Sequence, residues 1–163
     1  MKTLLLVRHA KSSWDNAQLN DMDRPLNDRG KRDAPVMAQR LIQANIKIEL
    51  FVSSPARRAR STAEIFIREF GGKTTDILLI PDLYHASLPT FKEVVSGLDE
   101  KAGSAALFSH NPGITAFVNT LTSVRLDNMP TCGIFAVTSL AATWSEFLTS
   151  GTTFWFFDYP KRE

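Results

Sequence analysis

The chain has one cysteine, Cys132, among its 163 residues. An intrachain disulfide and a cysteine-based metal cluster are thereby excluded. The lone thiol could be a nucleophile, but its residue type reads more readily as a small buried hydrophobe. Long apolar runs are also missing, and none approaches the roughly 18 residues a membrane span requires. The opening Met1-Lys2-Thr3-Leu4-Leu5-Leu6-Val7-Arg8 superficially resembles a secretory signal. Its apolar stretch of four residues stops at Arg8, short of the ~7–15 of such a segment. It reads as a buried strand, in a cytoplasmic protein with no membrane partner. Repeats, low-complexity tracts and linkers are absent, so one domain spanning 1–163 is expected. Gly72-Lys73-Thr74 looks like the tail of a phosphate-binding loop, but Ile67 stands where that loop needs glycine, and the segment follows a helix. A Gly-x-Ser-x-Gly elbow is lacking, which leaves a serine hydrolase without support. Asp21-Met22-Asp23 has no His or Cys partner nearby, so no metal site and no cofactor is expected. Asp23 reads instead as support for Arg24 or Arg29.

What is present is an uneven charge. Residues 1–60 carry twelve Lys/Arg and six Asp/Glu, against seven and eleven in the remainder. The first part therefore favours an anionic ligand. The cations form no stripe interleaved with stacking aromatics, so nucleic acid is not the expected partner.

Apolar periodicity then orders the chain. Thr3–Val7 reads as a strand buried on both faces, followed by a loop of roughly twenty residues, longer than most and of a kind often functional. Ala34, Met37, Ala38, Leu41 and Ile42 repeat at helical spacing. A strand at Leu50–Ser53 leads to Ser54-Pro55, which reads as an N-cap with proline at the first helical position. Ala59, Thr62, Ala63, Phe66 and Phe70 line that helix, which Gly71-Gly72 ends. A third strand is expected at Ile77–Ile80, a capping box at Thr90 and Glu93, a fourth strand at Ala105–Ser109 and a second cap-proline pair at Asn111-Pro112. Strand-like segments close the chain at Gly133–Thr138, Trp144–Leu148 and Phe154–Phe157. Strands alternating with helices imply an α/β three-layer sandwich whose central sheet is mostly parallel with an antiparallel edge.

Polar groups follow three strands: Arg8-His9, Ser53 to Arg58, and Ser109-His110-Asn111-Pro112-Gly113. Ligands of parallel sheets bind beyond the carboxyl ends of strands, and helix N-termini favour anions. Each segment alone reads as structural; together they point to one anionic pocket.

Val7-Arg8-His9-Ala10 resembles the Arg-His signature of the histidine phosphatase superfamily, which includes phosphoglycerate mutases and acid phosphatases. Ser54-Pro55-x-x-Arg58-Ala59-x-x-Thr62-Ala63 and Ser109-His110-Asn111-Pro112 resemble its second phosphate-binding and second-histidine segments. Asp23-Arg24-Pro25-Leu26-Asn27-x-Arg29-Gly30, Met129-Pro130-Thr131-x-Gly133 and Phe157-x-x-Pro160-Lys161 narrow the resemblance to short SixA-type phosphohistidine phosphatases. The resemblance implies a phosphoglycerate mutase-like fold. It also implies catalysis by His9 as phosphoryl acceptor, with Arg8 and Arg58 clamping the phosphoryl oxygens and His110 stabilising charge, in a reaction that needs no metal. Arg57 falls off the family position and is expected to be exposed or to meet substrate. Lys11, Ser12, Arg24 and Asn111 are candidate substrate-binding residues. Lys11, Ser12, Ser13 and Trp14 either border the entrance or form an ordinary loop with Trp14 packed down. Many relatives place an acid after the third strand; here Asp82 or His85 is the candidate, neither in a convincing motif. Phosphohistidine needs less acid help than a sugar phosphate, and the short chain leaves little room for a lid. Both favour a phosphorylated protein as substrate. A small phosphate ester on the same fold and a non-catalytic phosphate-binding module are the alternatives. The short chain disfavours a mutase.

Overall fold

The computed structural model describes residues 1–162. Its strands are β1 (Lys2–Arg8), β2 (Leu50–Ser53), β3 (Leu78–Leu79), β4 (Ser104–Ser109), β5 (Ile134–Ser139) and β6 (Thr153–Asp158). The helices are α1 (Asp28–Gln43), α2 (Arg57–Glu69), α3 (Leu88–Ser96) and α4 (Gly113–Leu121). One sheet of order β3-β2-β4-β1-β5-β6 runs through the molecule. β3, β2, β4 and β1 are mutually parallel, while β5 and β6 form the antiparallel edge.

Side chains of a strand alternate between faces, and here the alternation sorts two cores. Leu4 and Leu6 of β1, with Ala105 and Leu107 of β4 and Phe135 and Val137 of β5, join Phe91, Val95, Phe117 and Val118 of α3 and α4. Leu5 and Val7, Ala106 and Phe108, and Ile134 and Ala136 join Met37, Ala38, Ala63 and Phe66 of α1 and α2. The result is the expected three-layer α/β sandwich, mostly parallel with an antiparallel edge and with β1 and β4 at its centre.

Three local expectations fail for identifiable reasons. Residues 144–148 form no strand. Trp144 and Phe147 are fully buried in a turn segment, and the Trp144 indole donates to the Ala102 carbonyl at 2.9 Å, so apolar burial there is met without a ladder. Only Leu78 and Leu79 of the third expected strand pair. The hydroxyl and amide caps are displaced as well. α2 starts at Arg57 after Ala56, α3 at Leu88 after Ser87, and α4 at Gly113 after Pro112, none of them with a side-chain cap bond. The one side-chain cap on these four helices is Asn27, whose Oδ1 accepts from the Gly30 amide at 2.9 Å. Gly30 itself lies against the backbone after His9, where a Cβ would stand 2.2 Å from the Lys11 carbonyl oxygen. The motif glycine therefore lets α1 approach that loop closely.

Candidate active site

β2, β4 and β1 are adjacent and parallel, so their carboxyl ends open on one edge of the sheet. Arg8 ends β1 with His9 just after it, Arg58 stands in the first turn of α2, and His110 follows β4. His9, Arg58 and His110 are only 6%, 4% and 4% exposed, and the two imidazole centroids lie 5.2 Å apart.

The backbone around His9 is fixed from several sides. Its amide donates to Ser109 of β4, and the Cys132 amide donates to the carbonyls of Arg8 and His9. The His9 Nδ1 lies 2.7 Å from the Ala10 carbonyl. A carbonyl can only accept, so Nδ1 carries the proton and Nε2 keeps a lone pair. Ala10 is held in turn, because its amide donates to Thr62 Oγ1, which donates to the Arg58 carbonyl. One turn of α2 thus aligns both the ring and the arginine.

Two arginines flank the rings. Arg8 Nη1 donates to the Met129 carbonyl at 2.8 Å. Arg58 donates from Nη1 to the Asp21 carbonyl at 2.7 Å and from Nη2 to its Oδ2 at 2.9 Å. Asp21 also accepts from the Tyr84 hydroxyl at 2.6 Å and from Arg24 Nε at 3.1 Å. Burial works to raise the Asp21 carboxyl, but the hydrogen bonds from Tyr84, Arg58 and Arg24 and the charge of Arg58 hold it well below the usual carboxylate range. Burial and the neighbouring Arg58 charge push Arg8 down. Among the described residues, three buried polar atoms find no hydrogen-bond partner: Arg8 Nε, Arg58 Nε and His110 Nδ1. A buried polar atom left without a partner is costly, and all three belong to this one cluster; the two arginine nitrogens are donors, and His110 Nδ1 donates or accepts according to its tautomer. An oxyanion would offer acceptors to the two arginine nitrogens.

Both histidines are pushed down to about 3. Burial is the main cause for each. At His9 the bond to Ala10 opposes it, and Arg58, Arg8 and Arg24 add to the fall. At His110 the charges of His9, Arg58 and His85 add to it, against Asp21. The imidazoles are therefore neutral at pH 7. In the unfolded chain each takes up its proton near the ordinary 6.5, so their contribution to stability declines as pH falls below that value toward about 3. An anion among the unpartnered groups opposes this decline by favouring protonation. A bound anion that returns the His110 ring from about 3 to near its ordinary 6.5 makes sulfate, dianionic throughout, bind about tenfold tighter near pH 5.5, one unit below that restored value, than near pH 8, with His110→Ala expected to lose that dependence. Calorimetric titration measures it, and an affinity flat with pH would show that no imidazole gains a proton with the anion.

The other expected residues are distributed as follows. Ser12 is buried and accepts from Arg24 Nη1 at 2.8 Å, and Arg24 lies under the exposed Trp14 ring, 3.5 Å from its centroid. Asn111 donates to Asn128 and to the Met129 carbonyl and accepts from Thr115, so its amide fixes the loop that seats Arg8. Lys11 lies beside Arg8 along an adjoining cleft. Arg57 is exposed. Cys132 is fully buried, its thiol pushed up by burial. Asp82 is exposed in the turn 81–83 and makes no hydrogen bond or ion pair among the described residues. His85 is 65% exposed in its side chain and lies 4.0 Å from Asp21, its ring 6.4 Å from that of His110. Asp23 does not support the arginines as expected; Asp21 does. Tyr84 and the Ala10 carbonyl are the other contributors the sequence reading missed. Tyr84 lay in the stretch searched for an acid, and a backbone acceptor leaves no trace in residue type. Among the described residues, no three His, Cys, Asp or Glu side chains group so as to hold a metal ion.

The histidine phosphatase superfamily (branch 1) profile matches residues 4–86. An uncharacterized protein of Mycobacterium leprae is 30% identical, over 85% of this chain and 89% of its own. The chain assigned as phosphohistidine phosphatase SixA in Agrobacterium tumefaciens superposes with a TM-score of 0.83 at 25% identity, covering 98% of both chains. The protein histidine phosphatase SixA complexed with tungstate gives 0.79 at 23% identity, over 97% of each. With its Arg-His pair, second arginine and second histidine gathered on one sheet edge, the chain belongs to the histidine phosphatase superfamily and is of the SixA type.

Proposed function

We propose that this protein is a phosphatase that removes phosphate from histidine on another protein through a covalent phospho-His9 intermediate. The observation that carries the reading is the set of three unpartnered buried polar atoms around a neutral His9 whose Nδ1 is tied down. In the first step His9 Nε2 attacks phosphorus, the substrate P–N bond breaks, and the departing imidazole leaves neutral with a proton from solvent. In the second, water attacks phosphorus, the His9–phosphorus bond breaks, and inorganic phosphate departs. Arg8, Arg58 and His110 hold the transferring oxygens, so positioning and electrostatics supply the catalysis.

Asp21 favours the phosphohistidine substrate. It is the carboxylate that pairs with the catalytic arginine, and its partners keep it ionised. A site whose carboxylate donates no proton suits a leaving group that needs little acid help. The tungstate bound by a similarly folded SixA supports an oxyanion in this cradle. A small phosphate ester is the second reading, favoured by His85, which shares a cleft of about 260 Å³ with His110 and could protonate an alkoxide.

Phosphate release from a phosphohistidine protein and from para-nitrophenyl phosphate, without added metal, tests the reading. Turnover of the first in preference to the second, lost in His9→Ala, is expected. Activity confined to the aryl phosphate would favour the ester reading, and no His9-dependent turnover of either would favour a binding module.

A further inference from the structure

A second feature lies beside the phosphoryl site. A cleft of about 340 Å³ is lined by Arg8, Lys11, Arg29, Thr131, Tyr159 and Lys161. Pro130 and Pro160 complete the lining, and four of the eight residues are cations. Of these four cations, Arg29 alone has an ion-pair partner among the described residues, Asp33 at 3.6 Å.

The walls are held in place. Arg40 of α1 donates to the carbonyls of Tyr159 and Pro160 at 3.0 and 3.2 Å and pairs with Asp158 at 3.1 Å. That seats the segment after β6 against α1 and brings Lys161 to the rim. On the other side Arg29 Nη2 donates to Thr131 Oγ1 at 3.2 Å. Arg8 belongs to both the cleft and the phosphoryl site, so the two adjoin.

We propose that this cleft docks an acidic segment of the phosphorylated partner protein, next to the residue that carries the phosphate. The inference rests on the reading that the substrate is a protein. Four cations from separate parts of the chain, around a cleft of about 340 Å³, exceed what one carboxylate or phosphate of a small molecule needs. They match an extended stretch with two or more carboxylates. Such complementarity orients the partner and speeds encounter more than it adds raw affinity.

The test titrates a fluorescein-labelled hexaglutamate peptide against wild type, Lys161→Glu and, as a charge-matched control outside the cleft, Lys73→Glu. Lys161 is exposed and its side chain makes no hydrogen bond among the described residues, so the fold is not at stake. Lys161→Glu is expected to weaken the peptide about fivefold or more, and Lys73→Glu less than about twofold. The ratio of kcat/KM for the phosphohistidine protein to that for para-nitrophenyl phosphate should fall in parallel. Equal losses in both variants, or no peptide binding by wild type, would overturn the docking cleft. So would pyrophosphate, and not the peptide, sensing Lys161. Absence of His9-dependent turnover would instead remove the proposed reaction, and the peptide titration decides the cleft either way.

Discussion

Replacing His9 by alanine is expected to lower turnover by about 10⁴-fold or more, on the scale of other covalent nucleophile deletions, and to abolish phosphate incorporation into the chain. The reason lies in how completely the fold prepares this ring. Burial and three neighbouring arginines keep it neutral, Ala10 fixes its orientation, and Thr62 fixes Ala10. Arg8 and Arg58 are cations with no lone pair to attack with, and the second ring, His110, is held through Nε2 at 2.8 Å from Ser54 Oγ. Rapid quenching into alkali, which preserves phosphohistidine, followed by mass measurement should find the phosphorylated chain in wild type only. A variant that kept more than about a tenth of wild-type turnover would remove His9 from the reaction.

Arg58→Ala should lower kcat/KM by about 10³-fold, the loss expected from removing a preorganised group aimed at developing charge. Arg58→Lys should recover little. The guanidinium holds the Asp21 carbonyl and carboxylate with two nitrogens and keeps Nε unpartnered in the site, and an ammonium cannot span those directions. Asp21 retains Tyr84 and Arg24 in both variants, so the loop stays seated and the loss reads as chemistry. The exposed neighbour is the control: Arg57→Ala should change kcat/KM by less than about threefold. Steady-state kinetics on one substrate separates the cases, and equal effects at 57 and 58 would refute the assignment.

The sequence revealed the sheet because β1, β4 and β5 are strands whose alternate residues feed two cores, leaving continuous apolar runs. That Arg8, His9, Arg58 and His110 would gather at one sheet edge is legible because each stands at a strand end or in the first turn of a helix, while the roles expected of them come from the family resemblance. Trp144 and Phe147 misled for the same reason: burial in a turn and burial in a strand look alike in composition. Asp21 stayed hidden because its partners Arg58 and Tyr84 are 37 and 63 residues away, and no local pattern encodes such a meeting. The cap predictions failed where Ser54 serves instead as the partner of His110 and of the Ala56 amide. A side chain drawn into the site is not available to finish a helix.

The bond between His9 Nδ1 and the Ala10 carbonyl also has a regiochemical outcome. An imidazole offers two positions for phosphorylation, and the two isomers differ in lability and in phosphorus resonance. With Nδ1 occupied by the main chain, the proposed phosphoryl group can reside only on Nε2, the τ position. On the proposed mechanism, the backbone of the residue next to His9 would make the chain regiospecific for its own modification.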